Sequence, residues 1–268
     1  MVLLPTKADF YNGLLPFPAS KRTAVASSEA LLPVLIVLHQ ENSTPGRVGN
    51  ALRALGYPLD IRRPRFGDPL PPTLDDHAGA AIFGGPMSAN DPDDFVRREI
   101  DWISVPLREQ RPFLGICLGA QMLAMQLGAK VASHPEGRAE IGYYPIRPTA
   151  AGLAICPHWP DQVYHWHREG FELAHGAELL AEGGDFPVQA FRSGHAFGFQ
   201  FHPDVTYAMM HCWTTRGHDR FGMPGVQPRH LHFEGRAIHD VAERIWLKHF
   251  LDDWLVRMPS SVMSQAAE

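Results

Sequence analysis

Three residues of this 268-residue chain have the types and spacing for nucleophilic attack on a carbonyl: Cys117, His202 and Asp204. Cys117 stands between Gly115 and Gly119, after a short apolar run at 112–116 and before a run of helix formers that closes at Gly128. The apolar run has the length of a buried strand, and Gly128 suits a helix C-terminal cap. A reactive residue between two glycines at a strand-to-helix junction is the layout of a nucleophile elbow, where the glycines allow a tight turn and close backbone approach. The helix start would aim its N–H groups and positive dipole end at the sulfur, favouring thiolate over thiol. The same pattern also fits a small buried cysteine with no chemistry, so by itself it leaves both readings open. His202 follows the apolar Phe199-Gln200-Phe201, at a strand end where a parallel sheet gathers its reactive groups. Asp204, two residues on, can project the same way and hold the imidazole in one tautomer.

Four stretches carry more information together than any one alone. They are Phe83-Gly-Gly-Pro-Met-Ser-Ala-Asn-Asp91, Gly115-Ile-Cys-Leu-Gly-Ala-Gln121, Tyr164-His-Trp-His167 and Gly198-Phe-Gln-Phe-His-Pro-Asp204. In this order they resemble the class I glutamine amidotransferases, the Cys-His-Glu glutaminases, and among these the free-standing proteins similar to the glutaminase domain of GMP synthase. The resemblance runs over residues 33–207. It implies hydrolysis of the glutamine side-chain amide through a cysteine thioester, with Cys117 as nucleophile and His202 as base. Asp204 takes the place of the usual glutamate; being one methylene shorter, it needs either a closer backbone or a weaker contact.

The tetrahedral intermediate of such a reaction needs two N–H donors. One is the amide of Leu118, the residue after the nucleophile. The other comes from the Gly84-Gly85-Pro86 turn, where the resemblance selects Gly85. Gln121 lies one helical turn after Cys117 and faces the same pocket; in the family this residue contacts the amino-acid end of the substrate. His167 is a further substrate-side position by resemblance. The family usually has His-Gly-Asp there, whereas this chain has His167-Arg168-Glu169, which puts a cation beside the pocket. His158, His165, His167 and His175 lack helical metal-ligand spacing to a third donor, so they read as a solvated or structural set with no metal. No cofactor is expected either.

Composition bounds the partners. An apolar fraction of 45% with 20% charged residues is that of a soluble domain with a sizeable core. A formal charge of −5 gives no electrostatic case for nucleic acid or an anionic membrane, and no apolar run has the length of a membrane span. Three cysteines, Cys117, Cys156 and Cys212, make no disulfide framework and suit a reducing, cytoplasmic compartment. The expected ligand is glutamine or a γ-glutamyl compound. A γ-glutamyl peptide or conjugate hydrolase using the same triad, and a non-catalytic binding protein of the same fold, are the other two readings. Because no phosphate-binding glycine loop occurs, any ammonia acceptor would be a separate synthetase or acceptor subunit.

The elements that must position these residues alternate. Residues 33–38 read as a strand covered on both faces. Thr44 and Pro45 read as a helix cap and first helical residue, and Gly56 closes that helix. Residues 59–62 and 80–83 read as strands and 91–107 as a helix, before the nucleophile strand and its helix. Beyond Gly128, residues 140–146, 162–166, 188–191 and 195–201 read as strands and 205–215 as a helix. A long loop is expected at 221–234 and a terminal helix at 236–257, with Ile238, Val241, Ile245, Phe250 and Trp254 on one broad face. The fold class is α/β: a mostly parallel central sheet with helices on both faces, flavodoxin-like, with a strand-rich second half and a C-terminal helix. One domain at 33–258 is expected, with a surface-packed or partly disordered extension at 1–32 and a frayed tail at 259–268.

Overall fold

The computed structural model describes residues 31–255. Most of the expected N-terminal extension and all of the expected tail lie outside the described residues. The described chain opens with β1 (Val34–Val37), α1 (Gly46–Ala54), β2 (Leu59–Arg62), β3 (Gly79–Ile82), α2 (Asp94–Trp102), the short α3 (Ser104–Arg108), β4 (Phe113–Ile116) and α4 (Leu118–Gln126). Strands then predominate: β5 (Val131–Ser133), β6 (Glu140–Pro145), β7 (Arg147–Pro148), β8 (Gln162–His167), β9 (Glu169–Phe171), β10 (Glu178–Glu182), β11 (Val188–Ser193) and β12 (Ala196–Phe199), with α5 (Ala150–Ile155) between β7 and β8. α6 (Tyr207–Arg216) and α7 (Arg229–Trp254) follow.

The main sheet runs β2-β1-β3-β4-β12-β11-β10-β7. Its first five strands are mutually parallel and the last three add antiparallel at one edge. β1, β3 and β4 are buried along their whole length, as continuous apolar strands covered on both faces must be. The alternation of side chains divides the core. Val34 and Ile36 face one layer with Val48 and Leu52 of α1 and Trp246 and Phe250 of α7. Leu35 and Val37 face the other, with Val96 and Trp102 of α2 and Met122 and Leu123 of α4. Helices therefore cover both faces of a mostly parallel sheet, the fold class expected. Two small antiparallel pairs, β6-β8 and β5-β9, stand outside it. No helix among the described residues is long and apolar enough to cross a membrane.

Four expectations are corrected. Thr44 does not cap α1: Pro45 occupies the N-cap position with no side-chain cap. The Arg47 N–H instead donates to the Asp204 carbonyl at 2.7 Å. The helix expected at 91–107 is two helices, α2 and α3. The long loop shrinks because His218–Gly222 forms a 3₁₀ turn and α7 begins at Arg229, directly after Pro228. On α7 the packed face is Trp246, Leu247, Phe250, Leu251 and Trp254, while Ile238 is 72% and Val241 63% exposed. Those two and Ile245 lie on a common stripe at helical spacing, but turned away from the sheet.

Candidate functional site

The strand-to-helix turn at Cys117 is a strained point of the described chain. Cys117 has φ 51° and ψ −104°, one of two non-glycine residues with positive φ among those described. Such a conformation costs about 1–3 kcal/mol and is held only by its surroundings. Two hydrogen bonds pin it: the Cys117 N–H donates to the Phe199 carbonyl at 2.7 Å, and the Gln121 N–H donates to the Cys117 carbonyl at 3.0 Å. The flanking glycines are steric requirements. A Cβ on Gly119 would lie 2.0 Å from the Ile82 carbonyl, and one on Gly115 2.4 Å from the Gly119 carbonyl. α4 can thus start directly against β3 and β4, with Leu118 as its first residue.

β12 runs parallel to β4 and delivers His202 to the same end of the sheet. The His202 N–H donates to the Tyr164 carbonyl at 2.8 Å, and its Nδ1 lies 3.1 Å from Asp204 Oδ1. The Trp213 ring stands edge-on to the imidazole, with centroids 4.9 Å apart. Burial works against the imidazolium, but the Cys117 sulfur and the Asp204 carboxylate outweigh it and push His202 up to about 10. The shorter aspartate does reach the ring, at the long end of the hydrogen-bond range. Its backbone is tied to α1 by Arg47, and a Cβ on Gly46 would lie 2.1 Å from the Asp204 carbonyl.

The structure brings Cys117, Leu118, Gln121, Gly85 and His167 together around one small cleft, with Trp166, Arg168, Glu169 and Arg220. Gly84 passes against the catalytic groups: a Cβ there would lie 2.6 Å from His202 Cε1 and 3.4 Å from Cys117 Cβ. Gln121 is buried, its Nε2 donating to the Glu169 carbonyl at 3.0 Å and to Gln200 Oε1 at 3.3 Å. Arg168 and Arg220 have no ion-pair partner among the described residues. Trp166 and Arg220 escaped the sequence reading; Arg220 falls just before the expected long loop, where no pattern marked it. A second concavity lies by Gln110, Arg111, Ser193 and His195, at the opposite, amino ends of β4 and β12, and holds no cysteine.

His167 is committed to the protein as well as to the cleft wall. Its Nδ1 lies 2.9 Å from the Glu169 carbonyl, and its Nε2 lies 3.1 Å from both Glu140 Oε2 and His165 Nδ1. Gln189 Nε2 donates to Glu140 at 2.8 Å. Burial opposes the Glu140 carboxylate, but His165 and His167 hold its carboxyl below the usual range, while burial pushes His165 down to about 3. Glu140, His165 and His167 are all buried, and their donor atoms lie close enough together to hold a metal ion. Histidine spacing alone could not find this group, because its third donor sits on β6, paired with His167 across the ladder.

The turn at Cys117 at the carboxyl end of a parallel strand, with a buried His-Asp pair at the end of its neighbour, places a cysteine, a histidine and an acid together on an α/β fold. The glutamine amidotransferase class-I family model matches residues 41–211, and the chain belongs to that family. It is similar to the glutamine amidotransferase-like protein YfeJ of Salmonella typhimurium, 34% identical over 183 residues that span 65% of this chain and 76% of that one. It is also similar to the glutamine-hydrolyzing GMP synthase of Thermomicrobium roseum, 32% identical over 62% of this chain but only 31% of the synthase. Among solved structures, a glutamine amidotransferase from Methylobacillus flagellatus superposes with a TM-score of 0.79 at 26% identity, covering 85% of this chain and 96% of that one. One from Thermotoga maritima gives 0.75 at 28% identity, covering 85% and 99%.

Proposed function

We propose that the chain is a cysteine hydrolase of the glutamine amidotransferase type, releasing ammonia from glutamine through a thioester on Cys117. The observation that carries this reading is the Cys117 elbow, facing both the His202-Asp204 pair and the Gly84-Gly85 turn. His202, whose protonated form the Cys117 side chain and Asp204 favour, takes the Cys117 thiol proton as the sulfur attacks. Attack of Sγ on the substrate Cδ forms the C–S bond and moves the carbonyl electrons onto oxygen, opposite the Leu118 and Gly85 N–H groups. Collapse expels the amine, which takes the His202 proton and leaves as ammonia. Neutral His202 then takes a proton from water, whose oxygen attacks the thioester; glutamate leaves and the thiolate returns. Asp204 keeps the ring in the tautomer both steps need.

A second reading, a γ-glutamyl peptide or conjugate hydrolase, is favoured by Arg168 and Arg220, which line the cleft without an ion-pair partner among the described residues and suit the carboxylate of a larger leaving amine. Gln121 serves the amino-acid end of either substrate. Residues 33–258 act as one catalytic unit in the cytoplasm, and the released ammonia is available to a synthetase. The deciding measurement is kcat/KM for glutamine against γ-glutamyl dipeptides and glutathione. A 100-fold preference for glutamine, about 2.7 kcal/mol of differential transition-state binding, supports the glutaminase. The reverse preference overturns it in favour of the second reading. No turnover of any of them would instead point to a non-catalytic binding protein.

A further inference from the structure

Behind the Gly84-Gly85 turn lies a buried pair that the reaction scheme does not use. His39, just past β1, and Glu99, in α2, are both fully buried. His39 Nδ1 lies 3.1 Å from the Gly84 carbonyl, and its Nε2 lies 2.7 Å from Glu99 Oε2. The second oxygen of Glu99 has no partner among the described residues. A carboxylate so placed is costly to desolvate. Its helix neighbours Val96, Trp102 and Ile103 are plain core residues, so packing gives no reason for it.

We propose that His39 and Glu99 are positioning residues that set the direction of the Gly85 N–H; this rests on the hydrolase reading above. The Gly84 carbonyl and the Gly85 N–H belong to one planar, trans peptide and point in opposite directions. Fixing the oxygen therefore fixes the N–H. Two successive glycines leave that peptide free to turn over, and a hydrogen bond from His39 to the carbonyl selects one orientation.

Proton counting supports the assignment. The carbonyl can only accept, so Nδ1 carries a hydrogen. Nε2 then faces Glu99 across 2.7 Å with one proton on that line, whether the pair is written as imidazolium and carboxylate or as two neutral groups. The turn is also confined on its other sides. A Cβ on Gly84 would meet His202, and one on Gly85 would lie 3.0 Å from both His39 Cβ and Leu118 Cδ2. A donor drawn toward Glu99 polarises the peptide and strengthens its N–H as a donor to the developing oxyanion.

The test compares two reagents and one substrate on Glu99→Leu, Glu99→Gln and His39→Gln. Iodoacetamide alkylates Cys117 without forming an oxyanion, whereas a chloroketone analogue of glutamine passes through one. For Glu99→Leu and His39→Gln, kcat should fall by about 10–100-fold with KM within about twofold, since the oxyanion exists only beyond the ground state. Chloroketone inactivation should slow in parallel, and iodoacetamide labelling should stay near the wild-type rate. Glu99→Gln can still donate to Nε2 and should keep most of the activity. Loss of iodoacetamide labelling together with kcat, or a rise in KM at unchanged kcat, would overturn the proposal. Should Glu99→Leu not fold, the His39→Gln and Glu99→Gln pair decides on the same criteria. If the wild type turns over no γ-glutamyl amide, the hydrolase reading fails by itself. The ratio of the two inactivation rates then still reports on the turn: an unchanged ratio in the variants rejects the positioning role.

Discussion

At the scale of single residues, the site is a competition between burial and partner charges that the charges win at His202. The sign follows from a folded value pushed up to about 10 against an ordinary value of 6.5. Stability from the charged ring is fully present below pH 6.5 and is lost as pH rises through about 10. Asp204→Asn removes one of the two groups that hold the proton. The His202 ring resonance should then titrate at lower pH than in wild type, and residual turnover should survive because an orienting group acts through its neighbour. Asp204→Glu should keep the ring protonated; an unmoved His202 titration in Asp204→Asn would show that Cys117 alone holds it. Cys117 should also react with iodoacetamide before Cys212, although Cys212 is the more exposed of the two and Cys156 is buried. Peptide mapping after brief labelling reads the order, and exposure-ranked labelling would remove the elbow from the chemistry.

At the scale of elements, the site is a meeting of three strand ends and two helix starts. β3 leads to the Gly84-Gly85 turn, β4 to the nucleophile and β12 to the base. α4 begins at the nucleophile, and the start of α1 grips the Asp204 backbone through Arg47. That last tie holds the Asp204 main chain in place while its carboxylate reaches His202. The glycines of the elbow are the sensitive joints. Gly119→Ala would force a carbon to within 2.0 Å of the Ile82 carbonyl, backbone against backbone. It should cost at least the 1–3 kcal/mol of ordinary overpacking and lower activity with it. Gly128→Ala meets nothing within 4 Å but holds φ +86°, so it should cost only about 1 kcal/mol and leave turnover intact. Urea unfolding of both variants, with activity measured alongside, checks the contrast.

At the scale of the molecule, the two core layers on either side of the sheet have different jobs. The layer under α2 and α4 takes Leu118, the residue after the elbow, whereas Cys117 and Phe83 pack into the layer under α1 and α7. The layer under α1 and α7 is aromatic and sits beneath the base strand: Trp246 packs on Phe199 and Phe201 with ring centroids 5.2 and 5.4 Å apart, and on Phe250 at 5.7 Å. Phe201 is the residue before His202. Trp246→Ala should therefore lower stability by about 3–5 kcal/mol, seen in chemical denaturation. It should also reduce kcat at temperatures where the protein remains folded. Unchanged kcat there would mean that β12 holds His202 without its aromatic support.

Cys117, Leu118, Gln121, His202 and Asp204 stood out in the chain because an elbow and a strand-end histidine are local patterns written in consecutive residues, whereas Gly85 and His167 came from the family resemblance. Alternating strands and helices likewise fixed the parallel sheet, since apolar runs of strand length must be covered on both faces. The boundary of α7 and its packed face were not legible. A proline can precede a loop or a helix equally well, and an apolar stripe at helical spacing does not say which side of the helix meets the sheet. β5, β9 and α5 were too short to show a period. Trp166, Arg220, the Glu140-His165-His167 group and the His39-Glu99 pair were invisible for a different reason. Their meaning lies in contacts between elements 25 to 60 residues apart. A buried carboxylate in a helix reads as an ordinary surface charge until the fold places a histidine against it.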